Sequence, residues 1–236
     1  MPTILIINPN SSRFITDSLQ EKLPKLVAPD VQLRFFTCPA PGAAVIDSIT
    51  EATLTAALVF QSLIPQVLEG IDAVVVACYS PTPLVDMIRE SYQLPCMGIV
   101  QASVLAALTV GQKVGILTST YRSECLLYEL LQSFGIQRSR IAAIASTGRT
   151  VLQLSNMDPK ERKTLLVQRA QELVRIHGAD SICLGGAALA AIRDSIQEAV
   201  GPEIPIIDGV HAAIEQLSGL VRQKLTTSKS GIYQYP

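Results

Sequence analysis

The chain has 236 residues, 48% of them hydrophobic, with 19 basic and 20 acidic side chains and a formal net charge of -1. This balance offers no basic surface to a nucleic acid and no attraction to an anionic membrane, so we expect a small-molecule partner. The length suits one α/β domain or two lobes of about 100 residues each. Five cysteines without a Cys-x-x-Cys pair, and only two histidines, predict neither a disulfide framework nor a metal site.

The beginning of the chain does not have the pattern of a secretory signal. Thr3 to Ile7 is a short strand-like run that meets the turn-forming Asn8-Pro9-Asn10 at once, and no basic segment precedes it. No stretch has the length and apolar composition of a membrane span. We therefore expect a soluble cytoplasmic protein with reduced cysteines.

The first half of the chain alternates strand and helix patterns, as in α/β proteins. Predicted strands are Thr3–Ile7, Val31–Phe36, an apolar run that ends at Cys78, and Pro95–Val100. Predicted helices are the segment through Leu19, Leu23 and Leu26, then Ile49–Leu68 and Pro83–Tyr92. The Pro/Gly/Ala-rich segment Cys38–Ala44 is a predicted loop.

The pattern then starts again. Predicted strands are Lys113–Leu117, Ile141–Ala145 and Ser181–Leu184, and predicted helices are Ser123–Phe134, a segment capped by Asp158 with Pro159 at its first position, and His211–Lys224. The polar segment Thr226–Pro236 is predicted to be a loose tail, with an arm on a neighbouring subunit as the alternative.

The two halves match as an internal duplication. Gly70–Cys78 aligns with Gly178–Gly186, so that Cys78 pairs with Gly186, and Leu94–Val100 aligns with Ile204–Val210. We expect an α/β fold of two pseudo-symmetric Rossmann-like lobes with mostly parallel sheets and an active site in the cleft between them. The predicted lobes are residues 1–100 with 209–236, and residues 101–208.

The apolar run Val74–Val76 stops at Cys78, Tyr79 and Ser80, which predicts a buried strand that delivers a thiol to a ligand site. A thiolate can remove a proton next to a carbonyl, and a nearby helix N-terminus lowers a thiol pKa. Backbone N–H groups in the adjoining turns would stabilise the enolate oxygen. We expect Asn10 and Thr118, taken as equivalent turn residues of the two lobes, to contact the substrate.

Five further candidates follow from position alone. Ser11, Tyr79, Ser80 and Ser119 stand in the same turns as predicted substrate contacts, and His211, which aligns with Gln101, is a possible acid. The other cysteines, Cys38, Cys96, Cys125 and Cys183, are predicted to be packing residues. His177 is interpreted as a favourable charge at a helix C-terminus.

Together these motifs resemble the Asp/Glu/hydantoin racemase superfamily, and within it the hydantoin and allantoin racemases. The resemblance covers nearly the whole chain and rests on five segments: Ile6–Ser12, Ala77–Ser80, Val114–Thr118, Leu184–Ala188 and Ile204–Gly209. It implies two lobes, no cofactor, no metal, and a homo-oligomer that racemises a small molecule. It also implies two cysteines, one on each side of the acidic carbon, with Cys78 as the first and Ala187 in the second substrate-binding turn.

The chain departs from the family at the second cysteine, where Leu184-Gly185-Gly186-Ala187-Ala188 stands in place of the usual Leu-Gly-Cys-Ala-Gly. One expectation is a racemase or epimerase of a hydantoin- or allantoin-like cyclic ureide, in which water or His211 supplies the second proton. Another is a single-thiol decarboxylase or isomerase of a small carboxylate. A third is a racemase-fold protein, natural or engineered, impaired by glycine at this position and retaining only binding.

Overall fold

A computed structural model describes residues 1–63, 65–186, 189 and 192–234. It contains two four-stranded sheets with the strand orders β2-β1-β3-β4 and β6-β5-β7-β8, and every strand pair in them is parallel. The predicted α/β class with two lobes of parallel strands is therefore confirmed.

The first sheet and its helices have the following bounds. The strands are β1 (Thr3–Asn8), β2 (Gln32–Thr37), β3 (Ala73–Val76) and β4 (Cys96–Gly98). The helices are α1 (Arg13–Lys22), α2 (Ile49–Ser62), α3 (Pro65–Leu68), α4 (Leu84–Ser91) and α5 (Ile99–Val110).

The second sheet repeats this arrangement. Its strands are β5 (Val114–Thr118), β6 (Ile141–Ser146), β7 (Ser181–Leu184) and β8 (Ile206–Asp208). The helices are α6 (Tyr121–Ser133), α7 (Val151–Asn156), α8 (Pro159–Arg175), α9 (Arg193–Val200) and α10 (Gly209–Arg222).

The central strands are the apolar runs of the sequence. All residues of β1, β3, β5 and β7 are buried, whereas β2 at a sheet edge is partly exposed. Strands that are buried on both faces read as continuous apolar runs, because neither face meets water. The same property makes the sequence pattern a reliable guide to which strands lie in the centre of each sheet.

The chain divides into two compact units. Unit 1 comprises Met1–Cys78, Thr82–Ile99 and Val210–Pro236, and unit 2 comprises Tyr79–Pro81 and Val100–Gly209. The predicted lobes 1–100 with 209–236 and 101–208 stay a prediction of domain organisation. Among the described residues, no helix has both the length and the apolar character needed to cross a membrane.

The predicted elements with different bounds include a helix and a strand of unit 1. The single helix expected over Ile49–Leu68 is two helices, since α2 ends at Ser62 and α3 begins at Pro65. The strand expected over Pro95–Val100 is only three residues long, since α5 begins directly at Ile99.

The predicted loose tail is wrong for the described part of the C-terminal segment, which packs along α4 and the residues that directly follow it in unit 1. Thr227 donates its N–H to the Gln93 carbonyl (2.9 Å) and its hydroxyl to the Leu94 carbonyl (2.7 Å). The Tyr233 hydroxyl donates to Asp86 Oδ1 at 3.0 Å. The polar composition of the segment did not reveal these partners, because they lie far away in the sequence.

Candidate active site

Cys78 and Gly186 occupy the same position in the two sheets. Ile7 of β1 pairs with Val76 of β3, and Leu117 of β5 pairs with Leu184 of β7. Cys78 and Gly186 each lie two residues beyond that pair, past the carboxyl end of a central strand. The alignment of these two positions, inferred from the sequence duplication, agrees with the strand register.

The backbone repeats this equivalence in its hydrogen bonds. Cys78 donates its N–H to the Val76 carbonyl and Gly186 donates to the Leu184 carbonyl, both at 2.9 Å. Because both N–H groups are engaged, neither is available to a substrate oxygen. Donors for an enolate in these loops must therefore come from later residues.

The five cysteines differ in accessibility. Cys78 is half-buried beside the apolar core of unit 1, and Cys38, Cys96 and Cys183 are buried. Burial raises the pKa of the Cys96 and Cys183 thiols to about 12, so both stay protonated near neutral pH. Cys125 is exposed on α6, so the prediction that it is a packing residue is wrong.

The turn after β1 is held by its own polar side chains. The Asn10 side-chain oxygen accepts the N–H of Ser12 at 3.0 Å, and the Ser11 hydroxyl donates to the Gly42 carbonyl at 2.8 Å. These bonds fix the turn against the loop that Cys38–Ala44 was predicted to form. Within the described part of the chain, the half-buried Asn10 makes no hydrogen bond through its amide nitrogen, which leaves a donor for a ligand oxygen.

The strand register corrects one predicted equivalence. Asn8 pairs with Thr37 and Thr118 pairs with Ser146, so Thr118 corresponds to Asn8 rather than to Asn10. Asn8 is buried and its amide donates to Thr16 Oγ1 and to the Ser12 carbonyl, both at 3.1 Å. Sequence reasoning missed Asn8 because it treated this residue only as a turn former.

The turn after β5 is also fixed by hydrogen bonds to a neighbouring loop, as the turn after β1 is. Thr118 and Ser119 are buried, and their carbonyls accept the N–H groups of Thr147 (3.0 Å) and Arg149 (3.2 Å) respectively. The Ser119 hydroxyl is 3.5 Å from the Ser123 hydroxyl. The backbone of this turn is thus fixed against the loop that follows β6.

Tyr79 is buried, and its hydroxyl lies 2.8 Å from the Ser103 hydroxyl of α5. The Ser103 and Tyr79 hydroxyls act on the buried Cys183 thiol and partly offset the rise that burial causes in its pKa. Burial raises the pKa of the Tyr79 phenol well above its ordinary value, so the group stays neutral and able to donate. Ser103 and Cys183 as polar partners of Tyr79 were not foreseen, because they lie far apart in the sequence.

The remaining candidates are placed as follows. Ser80 is half-buried in the loop after Cys78, and Ala187 lies outside the described residues. His211 Nε2 on α10 is 3.7 Å from Glu215 Oε1. Gly98 and Asp208 pair with Val76 and Leu184, so His211 does correspond to Gln101.

The described residues contain no group of three or more His, Cys, Asp or Glu side chains gathered as a metal site. The groups placed to take part in chemistry are one half-buried thiol at a strand end and the polar turns at the ends of neighbouring strands.

Comparison with known proteins identifies the family. The sequence model of Asp/Glu/Hydantoin racemase matches residues 4–217. The chain belongs to this family. It is 30% identical over 233 residues to the hydantoin racemase of Pseudomonas sp. (strain NS671), a match that covers 99% of this chain and 91% of the relative.

Two solved structures have the same fold over nearly the whole chain. The allantoin racemase from Klebsiella pneumoniae has a TM-score of 0.90 and 26% identity, and covers 100% of this chain and 94% of the solved chain. The allantoin racemase from Pseudomonas fluorescens has a TM-score of 0.89 and 28% identity, with 99% and 97% covered. Membership of the family supports a racemase-type function.

Proposed function

We propose that this protein is a cofactor-independent racemase or epimerase that acts on a hydantoin- or allantoin-like cyclic ureide. The Cys78 thiolate removes the proton from the carbon next to the ring carbonyl, and the electron pair of that bond moves onto the carbonyl oxygen. Return of a proton to the opposite face inverts the carbon. The hydantoin racemase among the relatives and the two allantoin racemase structures support this substrate class.

The observation that carries the proposal is the placement of Cys78. It is a half-buried thiol past the end of a central parallel strand, the position at which α/β sheets bind ligands. Cys96 and Cys183 are buried with pKa values of about 12 and cannot supply a thiolate near neutral pH. Cys78 is therefore the cysteine best suited to act as the base.

In this proposal the substrate oxygens contact the turns at the strand ends. The proposed binding residues are Asn10, Ser11, Ser80, Thr118, Ser119 and Ala187. The unpaired amide nitrogen of Asn10 suits a carbonyl oxygen of a ureide ring, since it can donate. The Ser11 hydroxyl already donates to Gly42, so its part is to hold the turn unless that bond is exchanged.

Gly186 favours a second candidate. A site with one thiol exchanges or delivers a proton on one face only, which suits a decarboxylase or isomerase of a small carboxylate. For the racemase, water or His211 must supply the second proton. The two candidates differ in the fate of the configuration at carbon rather than in the role of Cys78.

Incubation in D2O with single enantiomers of allantoin and of 5-substituted hydantoins, and in a separate reaction with a 2-substituted malonate, separates these candidates. Deuterium uptake with loss of optical rotation is expected for the racemase. Uptake with retained configuration, or release of CO2 from a 2-substituted malonate, would instead identify the one-thiol enzyme. Cys78→Ser should abolish uptake, and Cys125→Ser is the matched control that should not. Equal uptake by wild type and Cys78→Ser would contradict the proposal.

We also propose that the protein is a homo-oligomer of the cytoplasm. The five cysteines are thiols in the structure, which suits a reducing compartment. The mass in solution, measured by light scattering, tests the first statement, because a monomer of 25.4 kDa contradicts it. Fractionation of cells tests the second.

A further inference from the structure

The residue after Cys78 is anchored by a buried polar cluster, defined as Tyr79, Ser103 and Cys183. The Tyr79 hydroxyl is 2.8 Å from Ser103 Oγ, and Ser103 Oγ donates to the Val100 carbonyl at 3.0 Å. Because the serine has one hydrogen and gives it to Val100, the phenol is the donor to the serine. All three members of the cluster belong to unit 2.

The internal duplication supplies a comparison for this cluster. Val76 and Leu184 are equivalent positions of the two sheets, so the counterpart of Cys183, one residue earlier, is Val75. Gly98 and Asp208 are likewise equivalent, so the counterpart of Ser103, five residues later, is Ala213. Both counterparts are apolar and fully buried. The counterpart of Tyr79 is Ala187, so that each of the three polar residues has an apolar counterpart.

The fold therefore does not require polar groups at these positions. Burying a hydroxyl or a thiol costs free energy unless it is hydrogen-bonded, and an apolar residue of similar size avoids that cost. Valine and alanine occupy two of the equivalent positions and are fully buried there. Tyr79 and Ser103 lie in the sequence repeat that carries the thiol, which points to a role connected with Cys78.

The cluster restrains Cys78 from its carboxyl side. On the amino side, the Cys78 N–H is bonded to the Val76 carbonyl at 2.9 Å. On the carboxyl side, the next side chain is buried and its hydroxyl is bonded to Ser103 of α5. With both neighbours fixed, the direction of the Cys78 side chain is restricted.

We propose that Tyr79, held by Ser103 and Cys183, is a positioning residue that sets the orientation of the Cys78 thiol. This inference rests on the proposed function of Cys78 as the base. It replaces the predicted contact of Tyr79 with substrate, because the phenol is buried and its hydroxyl is bonded inside unit 2. A thiol displaced by about 1 Å from its reacting position can lose on the order of 100-fold in rate.

The test compares Tyr79→Phe with a triple variant, Tyr79→Phe/Ser103→Ala/Cys183→Val, that makes the cluster apolar. The triple variant should fold with wild-type thermal stability, because its apolar residues copy the other lobe at two of three positions. We expect kcat for deuterium exchange to fall by about 10- to 100-fold in both variants with KM changed less than about threefold. Tyr92→Phe, which removes a half-buried phenol bonded to the Leu63 carbonyl, is the matched control and should keep kcat.

A second readout does not depend on activity. In a Cys125→Ser background, Cys78 is the accessible thiol, and its rate of alkylation by iodoacetamide reports its position directly. We expect Tyr79→Phe to raise this rate by about threefold or more, since a loosened loop exposes a half-buried thiol more often. An unchanged alkylation rate together with an unchanged kcat overturns the inference. If the alkylation rate rises but Cys78→Ser retains exchange, the positioning stands and the proposed function fails.

Discussion

Cys78 and Gly186 make the same backbone hydrogen bond, since each donates its N–H at 2.9 Å to the carbonyl two residues earlier. The duplication thus places a thiol at one strand end and a hydrogen atom at its counterpart. In the proposed mechanism the thiol at the first position exchanges the substrate proton, and the second position offers no thiol to do the same. The most direct test of this difference is to place a cysteine at position 186.

Gly186→Cys is expected to raise the ratio of the racemisation rate to the deuterium-exchange rate by about 100-fold. The reason is that it supplies an acid at the counterpart of Cys78. An ideal Cβ at Gly186 meets no heavy atom of the described residues within 4 Å, so the side chain has room. Its φ of +158° lies at the edge of the region that favours glycine, which predicts a loss of about 1 kcal/mol in stability.

Optical rotation and deuterium uptake, followed together, measure the effect of Gly186→Cys. Gly186→Ala is the matched control, since it carries the same backbone strain without a thiol, and it should not gain racemisation. A folded Gly186→Cys variant with no increase over Gly186→Ala would show that this strand end does not face the reacting carbon.

The cysteines should divide into two reactivity classes. Burial raises the pKa of Cys96 and Cys183 to about 12, so both remain thiols at pH 8 and are shielded as well. Iodoacetamide should therefore modify Cys78 and Cys125 in the native protein, whereas Cys38, Cys96 and Cys183 react only after unfolding. Peptide mass mapping before and after addition of denaturant measures this. Modification of Cys183 in the folded protein would contradict the burial on which the Tyr79 cluster depends.

Much of the fold was predictable because continuous apolar runs mark strands buried on both faces. Val74–Val76 and Ser181–Leu184 are both such runs, and their alignment gave the pairing of Cys78 with Gly186 that the strand register repeats. This alignment needs only the local pattern of apolar residues and the number of residues between landmarks, and a sequence provides both.

The parts that could not be predicted depend on contacts between residues distant in the sequence. Ser103 and Cys183 read as ordinary helix and strand residues, and only the tertiary fold of unit 2 brings them to Tyr79. The tail was read as loose because its composition is polar, yet Lys229 and Tyr233 reach partners on α4. Asn10 was matched to Thr118 by turn composition, whereas the register matches Asn8.

The cap of α2 should depend on pH through Glu51. Its carboxylate accepts the Asp47 N–H at 2.9 Å and the Ser48 hydroxyl at 3.0 Å, and these bonds hold the pKa of Glu51 below its usual value. A lowered folded-state pKa gives stability that is present above the unfolded pKa and is lost as the pH falls through the folded pKa. Glu51→Gln should therefore cost about 0.5–1 kcal/mol at pH 7 and almost nothing near pH 3.

Urea unfolding of wild type and Glu51→Gln at both pH values measures this difference. Glu161→Gln provides a comparison in the first turn of α8, where Asp158 forms the cap and Glu161 supplies only its backbone N–H to it. A cost for Glu51→Gln that persists unchanged at low pH would mean that the glutamate acts through packing rather than through its charge.

Lys229 should stabilise the C-terminal end of α4. Its Nζ donates at 2.7 Å to the carbonyls of Arg89 and Glu90, two of the carbonyls that a helix end leaves without an intrahelical partner, and its positive charge opposes the negative end of the helix dipole. Lys229→Ala should therefore lower the free energy of unfolding by about 1 kcal/mol. Lys163→Ala, at an exposed position of α8, should change it by less than about 0.5 kcal/mol. Thermal and urea unfolding measure both variants, and equal stabilities would mean that the tail contributes nothing to the fold and binds α4 too weakly to restrain it.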